Sequence, residues 1–149
     1  MRAVLQRVLR AKVDIDGVTC GEIGKGVMVL VGMNTGDDEK TYKYMLDKMV
    51  DLRIFEDSQG KMNLSARDLD LELLLVPNFT IYADATHGRR PSFAVGAPPE
   101  IAEQTFNAFV DYARKNFGKV QSGVFKADMQ VELVNDGPIT ILLDSDKVI

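Results

Sequence analysis

Two short stretches hold the residues best suited to chemistry. In Val76-Pro-Asn-Phe-Thr-Ile-Tyr-Ala-Asp84, Asn78 and Thr80 alternate with apolar residues just after an apolar run. Such a stretch offers an amide, a hydroxyl and backbone N–H groups to a pocket wall. It also reads as an edge strand interrupted by Pro77, which has no N–H to donate. In Asn135-Asp-Gly-Pro-Ile-Thr140, a Gly-Pro pair joins two apolar strands. Gly137 tolerates unusual backbone angles and has no side chain to block an approach, and Pro138 leaves the preceding carbonyl free to point outward. The plain alternative is a hairpin turn.

Other chemistries lack their parts. A structural metal site needs several His, Cys or carboxylate ligands in register, and the chain has one His and one Cys. No metal or other cofactor is expected. A Ser-His-Asp triad would need His87 as its base, but there is no Gly-x-Ser-x-Gly elbow to present a nucleophile. His87 reads as an exposed loop residue in Thr86-His-Gly-Arg-Arg90, and Cys20 as a small core residue. Gly21-Glu-Ile-Gly-Lys-Gly26 precedes a strand and lacks the Gly-Lys-Ser/Thr ending of a phosphate loop, so it reads as a turn. The pairs Asp14/Asp16 and Asp68/Asp70 lie in polar context and read as solvated turns.

The elements that must position the two stretches follow from periodicity. Residues 4–9 alternate as a strand, Val13 to Ile15 form a second alternating run, and Asp16-Gly17 signals a hairpin turn. Val18 to Ile23 returns as a strand. Val27 to Val31 is continuously apolar and reads as a buried strand. A helix is expected near 37–51, where Tyr42, Met45, Leu46, Met49 and Leu52 recur at helical spacing. Arg53 to Glu56 forms a short strand, and residues 61–70 read as a loop. Leu71 to Val76 is a second buried strand that stops at Pro77, and residues 84–99 form a loop.

Pro98-Pro99 then opens the strongest helix, with Ala102, Thr105, Phe106, Phe109, Val110, Ala113 and Phe117 on one face and Gly118 as C-cap. Val120 to Phe125, Met129 to Val134 and Ile139 to Leu143 close the chain as strands. The expected fold is a single α/β domain of the α+β type over residues 1–149, a mainly antiparallel, barrel-like sheet with two main helices.

Hydrophobic residues make up 46% and charged residues 27%, a balance that excludes disorder. No apolar run approaches the roughly 20 residues that span a bilayer, and the alternating N-terminus lacks the apolar stretch of a signal peptide. With one cysteine no internal disulfide can form, and a cytoplasmic location is expected. The net charge of −4 argues against long contacts with a nucleic-acid backbone. Cations nevertheless gather at Arg2, Arg7, Arg10 and Lys12, at Arg89 and Arg90, and at Arg114, Lys115, Lys119 and Lys126. They read either as solvated faces or as a local patch meeting the end of a polyanion.

The order of the two motifs resembles the D-aminoacyl-tRNA deacylase family. The match runs nearly end to end. It includes Met1-Arg-Ala-Val-Leu-Gln-Arg-Val8, Gly21 to Gly26, Leu52-Arg-Ile-Phe-Glu56, Gly60-Lys-Met-Asn-Leu-Ser65, Gly88-Arg-Arg-Pro-Ser-Phe93 and Ala127-Asp-Met-Gln-Val131. Each fragment alone is weak; in this order they are specific.

The resemblance implies a homodimer that hydrolyses the ester between a D-amino acid, or mischarged glycine, and the tRNA 3′ end. It implies a pocket lined by Pro77, Asn78, Phe79 and Thr80. It implies that Gly137-Pro138 is cis and reaches into the partner subunit's pocket to exclude L side chains. Arg7 matches an arginine supporting that motif, and Phe125 and Met129 match residues near the terminal adenosine. The chain departs from the usual Ser-Gln-Phe-Thr at Pro77 and Asn78, and has Lys126 where a glycine is usual.

An aminoacyl ester is already activated, and the adjacent ribose hydroxyl can assist attack. The protein then needs mainly to position the ester and stabilise an oxyanion through backbone N–H groups around Phe79 and Thr80. Thr80 as a nucleophile ranks second, because no base is evident beside it. Two alternatives remain: a non-catalytic or relaxed-specificity nucleic-acid-binding relative of the family, and a dimeric scaffold without a ligand.

Overall fold

One long strand organises the molecule. In the computed structural model, which describes residues 1–149, β1 (Arg2–Ile15) pairs antiparallel with β2 (Val18–Ile23) and β3 (Gly26–Gly32) along one edge. Its other edge takes β8 (Met129–Asp144), also antiparallel. The β1–β2 turn has Asp16 at φ 51° and Gly17 at φ 77°, the left-handed pair that an Asp-Gly hairpin requires. On the far side of β3 lie β6 (Glu72–Pro77) and β7 (Val120–Ser122), both parallel to their neighbours. A small hairpin of β4 (Phe55–Glu56) and β5 (Met62–Leu64) stands apart.

The sheet is therefore mixed, though mainly antiparallel, and it curls into a nearly closed barrel. β2 approaches β6 and β7 from the opposite side. A Cβ on Gly21 would sit 2.9 Å from the Ser122 carbonyl oxygen.

The strand period explains the two continuous apolar runs. On β3, Val27, Val29 and Val31 face the main core, while Met28 faces a second cluster inside the barrel. On β6, Leu73 and Leu75 face the main core, while Leu74 and Val76 face the second. Strands buried on both faces lose the apolar–polar alternation. The helices α1 (Glu39–Asp51) and α2 (Pro99–Asn116) cover the outer face with Met45, Leu46, Met49, Phe106, Phe109 and Ala113. Asp38 caps α1 through its carboxylate, and Gly118 at φ 98° ends α2.

Four expectations need correction. Residues 61–70 are not all loop, because Met62–Leu64 pairs with β4. The strand expected over 120–125 stops at Ser122, and residues 124–127 turn, with the Ala127 N–H donating to the Val124 carbonyl at 3.3 Å. Asn135 to Thr140 is not a hairpin connector. The runs on either side of it are halves of one strand that follows β1 throughout, with Val8 opposite Asn135 and Gln6 opposite Thr140. Four residues thus bulge out opposite Arg7, an irregularity that leaves the ladder intact on both sides. Cys20 is exposed, because the alternation of β2 turns Gly21 and Ile23 inward and Cys20 outward.

Candidate functional site

The sequence stretch after β6 is held open by its own first side chain. Pro77 is buried and closes the parallel ladder opposite Val31, and the Asn78 N–H donates to the Val31 carbonyl at 2.8 Å. The chain then makes a 3₁₀ turn, Phe79–Tyr82, with Asn78 as its N-cap. The Asn78 Oδ1 accepts from the Thr80 N–H at 3.1 Å and from the Thr80 hydroxyl. Thr80's N–H is thereby committed, whereas the Phe79 N–H stands at the first position of the turn, where no carbonyl one turn back can reach it.

Tyr82 anchors the turn. Its ring is buried under the Arg2 guanidinium, 4.7 Å from the centroid, and burial pushes its phenol above the usual range.

Beside this turn lies a cavity of about 1040 Å³. Pro77, Asn78 and Phe79 form one wall. Phe125 and Met129, at the turn into β8, also line the cavity, as do Phe93, Gly96 and the start of α2. Phe79 packs edge-on against Phe93 with ring centres 5.4 Å apart, yet remains 55% exposed. Gly123 stands close to two of the lining residues. A Cβ there would lie 2.7 Å from the Met129 sulfur and 3.2 Å from Pro77 Cδ. The volume suits a nucleoside-sized ligand, and the lining is mostly apolar with a few polar groups.

Arg7, Gly137 and Pro138 lie elsewhere. None of the three lines the cavity, nor does Thr80, and Gly137 and Pro138 are exposed. Arg7 continues the inward row of Ala3 and Leu5, so its guanidinium enters the end of the core and is 7% exposed. Its Nε donates to the Asp136 carbonyl at 3.1 Å and pairs with the Asp136 carboxylate at 3.1 Å. A terminal nitrogen donates to the Ile54 carbonyl, and the Phe55 ring lies below. The Asn135 amide nitrogen donates to the Arg7 and Ile139 carbonyls, each at 3.0 Å, and so ties the two ends of the bulge. The Gly137–Pro138 peptide bond is cis.

No conventional acid–base pair faces Thr80. Its hydroxyl proton points at an amide oxygen, which is no base. Asp84 is engaged by the Thr86 hydroxyl and N–H, which lower its pKa, and His87 is exposed and contacts the Thr86 hydroxyl. Sequence reasoning missed Phe93 and Gly96, because a loop without periodicity does not reveal which of its residues return to the cavity.

The family model described as D-Tyr-tRNA(Tyr) deacylase matches residues 4–144. A D-aminoacyl-tRNA deacylase of Thermosipho africanus (strain TCF52B) is 52% identical over 149 residues, covering 99% of both chains. One from Carboxydothermus hydrogenoformans is 49% identical over 144 residues, covering 97% of this chain and 99% of the other. Among solved structures, a "c-Myc DNA Unwinding Element Binding Protein" superposes with a TM-score of 0.90 at 40% identity, covering 97% of this chain and 99% of that one. A "probable eukaryotic D-amino acid tRNA deacylase" superposes with a TM-score of 0.80 at 17% identity, covering 95% and 97%, and shares the fold. Fold and sequence together define an enzyme class, the aminoacyl-tRNA deacylases. Within it, this chain belongs to the D-aminoacyl-tRNA deacylase family.

Proposed function

We propose that the chain hydrolyses the ester of D-aminoacyl-tRNA, and of mischarged glycyl-tRNA, with the amino acid held between Phe79 and a Gly137–Pro138 wall supplied by a second copy. The observation that carries this reading is the Asn78–Phe79–Thr80 turn at the mouth of an apolar cavity. There a backbone N–H at Phe79 can meet a developing oxyanion. The apolar pocket around Phe125 and Met129 suits the terminal adenine. Attack comes from water aided by the ribose hydroxyl beside the ester, because nothing near Thr80 can take its proton.

The second copy enters because Gly137 and Pro138 are exposed on their own chain and do not line its cavity. A backbone wall near the α-carbon rejects an L side chain sterically, admits many D side chains, and cannot reject glycine. Support for pairing comes from the exposed Leu142 on β8 and from the exposed bulge beside it.

Paired D- and L-aminoacyl-tRNA substrates test the reading. Free D-amino acid should appear while the L-ester stays intact. Equal turnover of both would sink the chiral wall. Binding of tRNA or single-stranded DNA without any ester turnover would instead favour the non-catalytic nucleic-acid-binding relative.

Thr80→Ala is expected to keep deacylation within about tenfold of the unaltered chain, since the hydroxyl only orients Asn78 and contributes one exposed hydrogen bond. A loss of three orders of magnitude with folding intact would make Thr80 the nucleophile.

A further inference from the structure

We propose that Lys126 binds a phosphate of the tRNA 3′ end at the cavity mouth, and that Glu103 holds the ammonium in place as its internal competitor. The proposal rests on the reading of the cavity as the site of the tRNA 3′ end. Three charged residues line that cavity: Asp16, Lys126 and Asp128. Two are carboxylates, which repel a polyanion, so Lys126 alone can meet the phosphodiester that must accompany the terminal nucleoside.

Its backbone supports a role beyond packing. Lys126 has φ 65°, the left-handed region where an L side chain is strained and a glycine is relaxed. The residue lines the cavity. There Nζ pairs with Glu103 on α2 at 2.9 Å, with the two side chains 52% and 40% exposed. An ion pair this exposed is weak and exchanges readily for a stronger anion. A phosphate arriving with its base stacked near Phe125, one residue away, can replace the Glu103 carboxylate without moving the backbone. Lys126 thus contributes binding and register, while the ester lies by Phe79.

The test uses 2′(3′)-O-D-aminoacyl-adenosine with and without a 5′-phosphate, and full D-aminoacyl-tRNA. Lys126→Gly should raise KM for the phosphorylated ester about fivefold, leave kcat unchanged, and leave the unphosphorylated ester unaffected. With tRNA it should flatten the dependence of log KM on log salt by about one ion. Lys126→Arg should retain the phosphate effect. Glu103→Gln should lower KM for the phosphorylated ester only. Because glycine relaxes the turn, Lys126→Gly should not lower the melting temperature, and so misfolding cannot mimic the result.

Equal effects on both small esters, or none on either, overturn the phosphate contact while leaving the deacylase reading intact. An unaltered chain that hydrolyses no ester overturns that reading, and the proposal with it.

Discussion

Gly26→Ala is expected to lower the stability of the chain by about 4 kcal/mol or more. Gly26 opens β3 opposite Glu72, the first pair of the parallel β3–β6 ladder. A Cβ built there falls 2.1 Å from the Glu72 carbonyl oxygen and 2.9 Å from its carbon. Both atoms are backbone, so no rotamer relieves the clash and one strand must move by an ångström or more. That movement breaks hydrogen bonds in a ladder whose residues are buried on both faces, a loss of about 4 kcal/mol or more. Domains of this size have roughly 5–15 kcal/mol in all. The damage also reaches the site, because β6 carries Pro77 and Asn78 and the Asn78 N–H is bonded to β3 at Val31. Urea unfolding followed by circular dichroism provides the measurement. Gly24→Ala is the control, since its Cβ would meet only the Glu72 side chain at an ordinary 3.5 Å. Equal midpoints for the two variants would show that the close approach at Gly26 is not what holds β3 to β6.

The parts of the fold that were legible in the sequence are those where one period dominates. α2 was readable because Ala102, Phe106, Phe109 and Ala113 recur at helical spacing and all meet the core. β3 and β6 were readable as buried because their apolar runs are unbroken. What failed was long-range. Gly137–Pro138 has the local chemistry of a turn, and only its partner strand decides otherwise. β1 continues past Arg7 and pairs with both halves of β8, so the motif becomes a bulge in place of a hairpin. At Cys20 residue type and strand alternation disagree, and alternation decides: the thiol faces outward.

Within the site, the resemblance to the family named Pro77, Asn78, Phe79, Phe125 and Met129, and the structure brings these five to one cavity. It does not bring Thr80, Arg7, Gly137 or Pro138 there. Nor could the sequence show that the Asn78 side chain occupies the Thr80 N–H, which is why the proposed oxyanion donor is Phe79.

Arg7→Met is expected to lower stability by about 2–4 kcal/mol and to erode discrimination between D- and L-esters by roughly 100-fold. The two effects have one source. Methionine keeps the apolar stem in the row of Ala3 and Leu5, so core volume changes little. What disappears is the guanidinium that joins the Ile54 carbonyl, the Asp136 carbonyl and the Asp136 carboxylate. Each carbonyl left unpaired beside the core costs about 1–3 kcal/mol. The Asp136 carboxylate, 34% exposed, remains solvated and adds little. Without the anchor, the bulge is tied only by Asn135 at its ends, and Gly137 and Pro138 gain freedom to shift. A steric wall discriminates only while it stays in place, and a displacement of about 1 Å in a reacting site can change rates 100-fold. L-ester turnover should therefore rise relative to D-ester turnover instead of both falling together. Arg7→Lys should recover part of the stability but little of the selectivity, because one ammonium cannot reproduce the planar fork. Single-turnover rates on paired D- and L-aminoacyl-tRNA separate the two effects. If the variant is destabilised yet as selective as the unaltered chain, then Arg7 is a buried structural charge and the chiral wall is held by Asn135 alone.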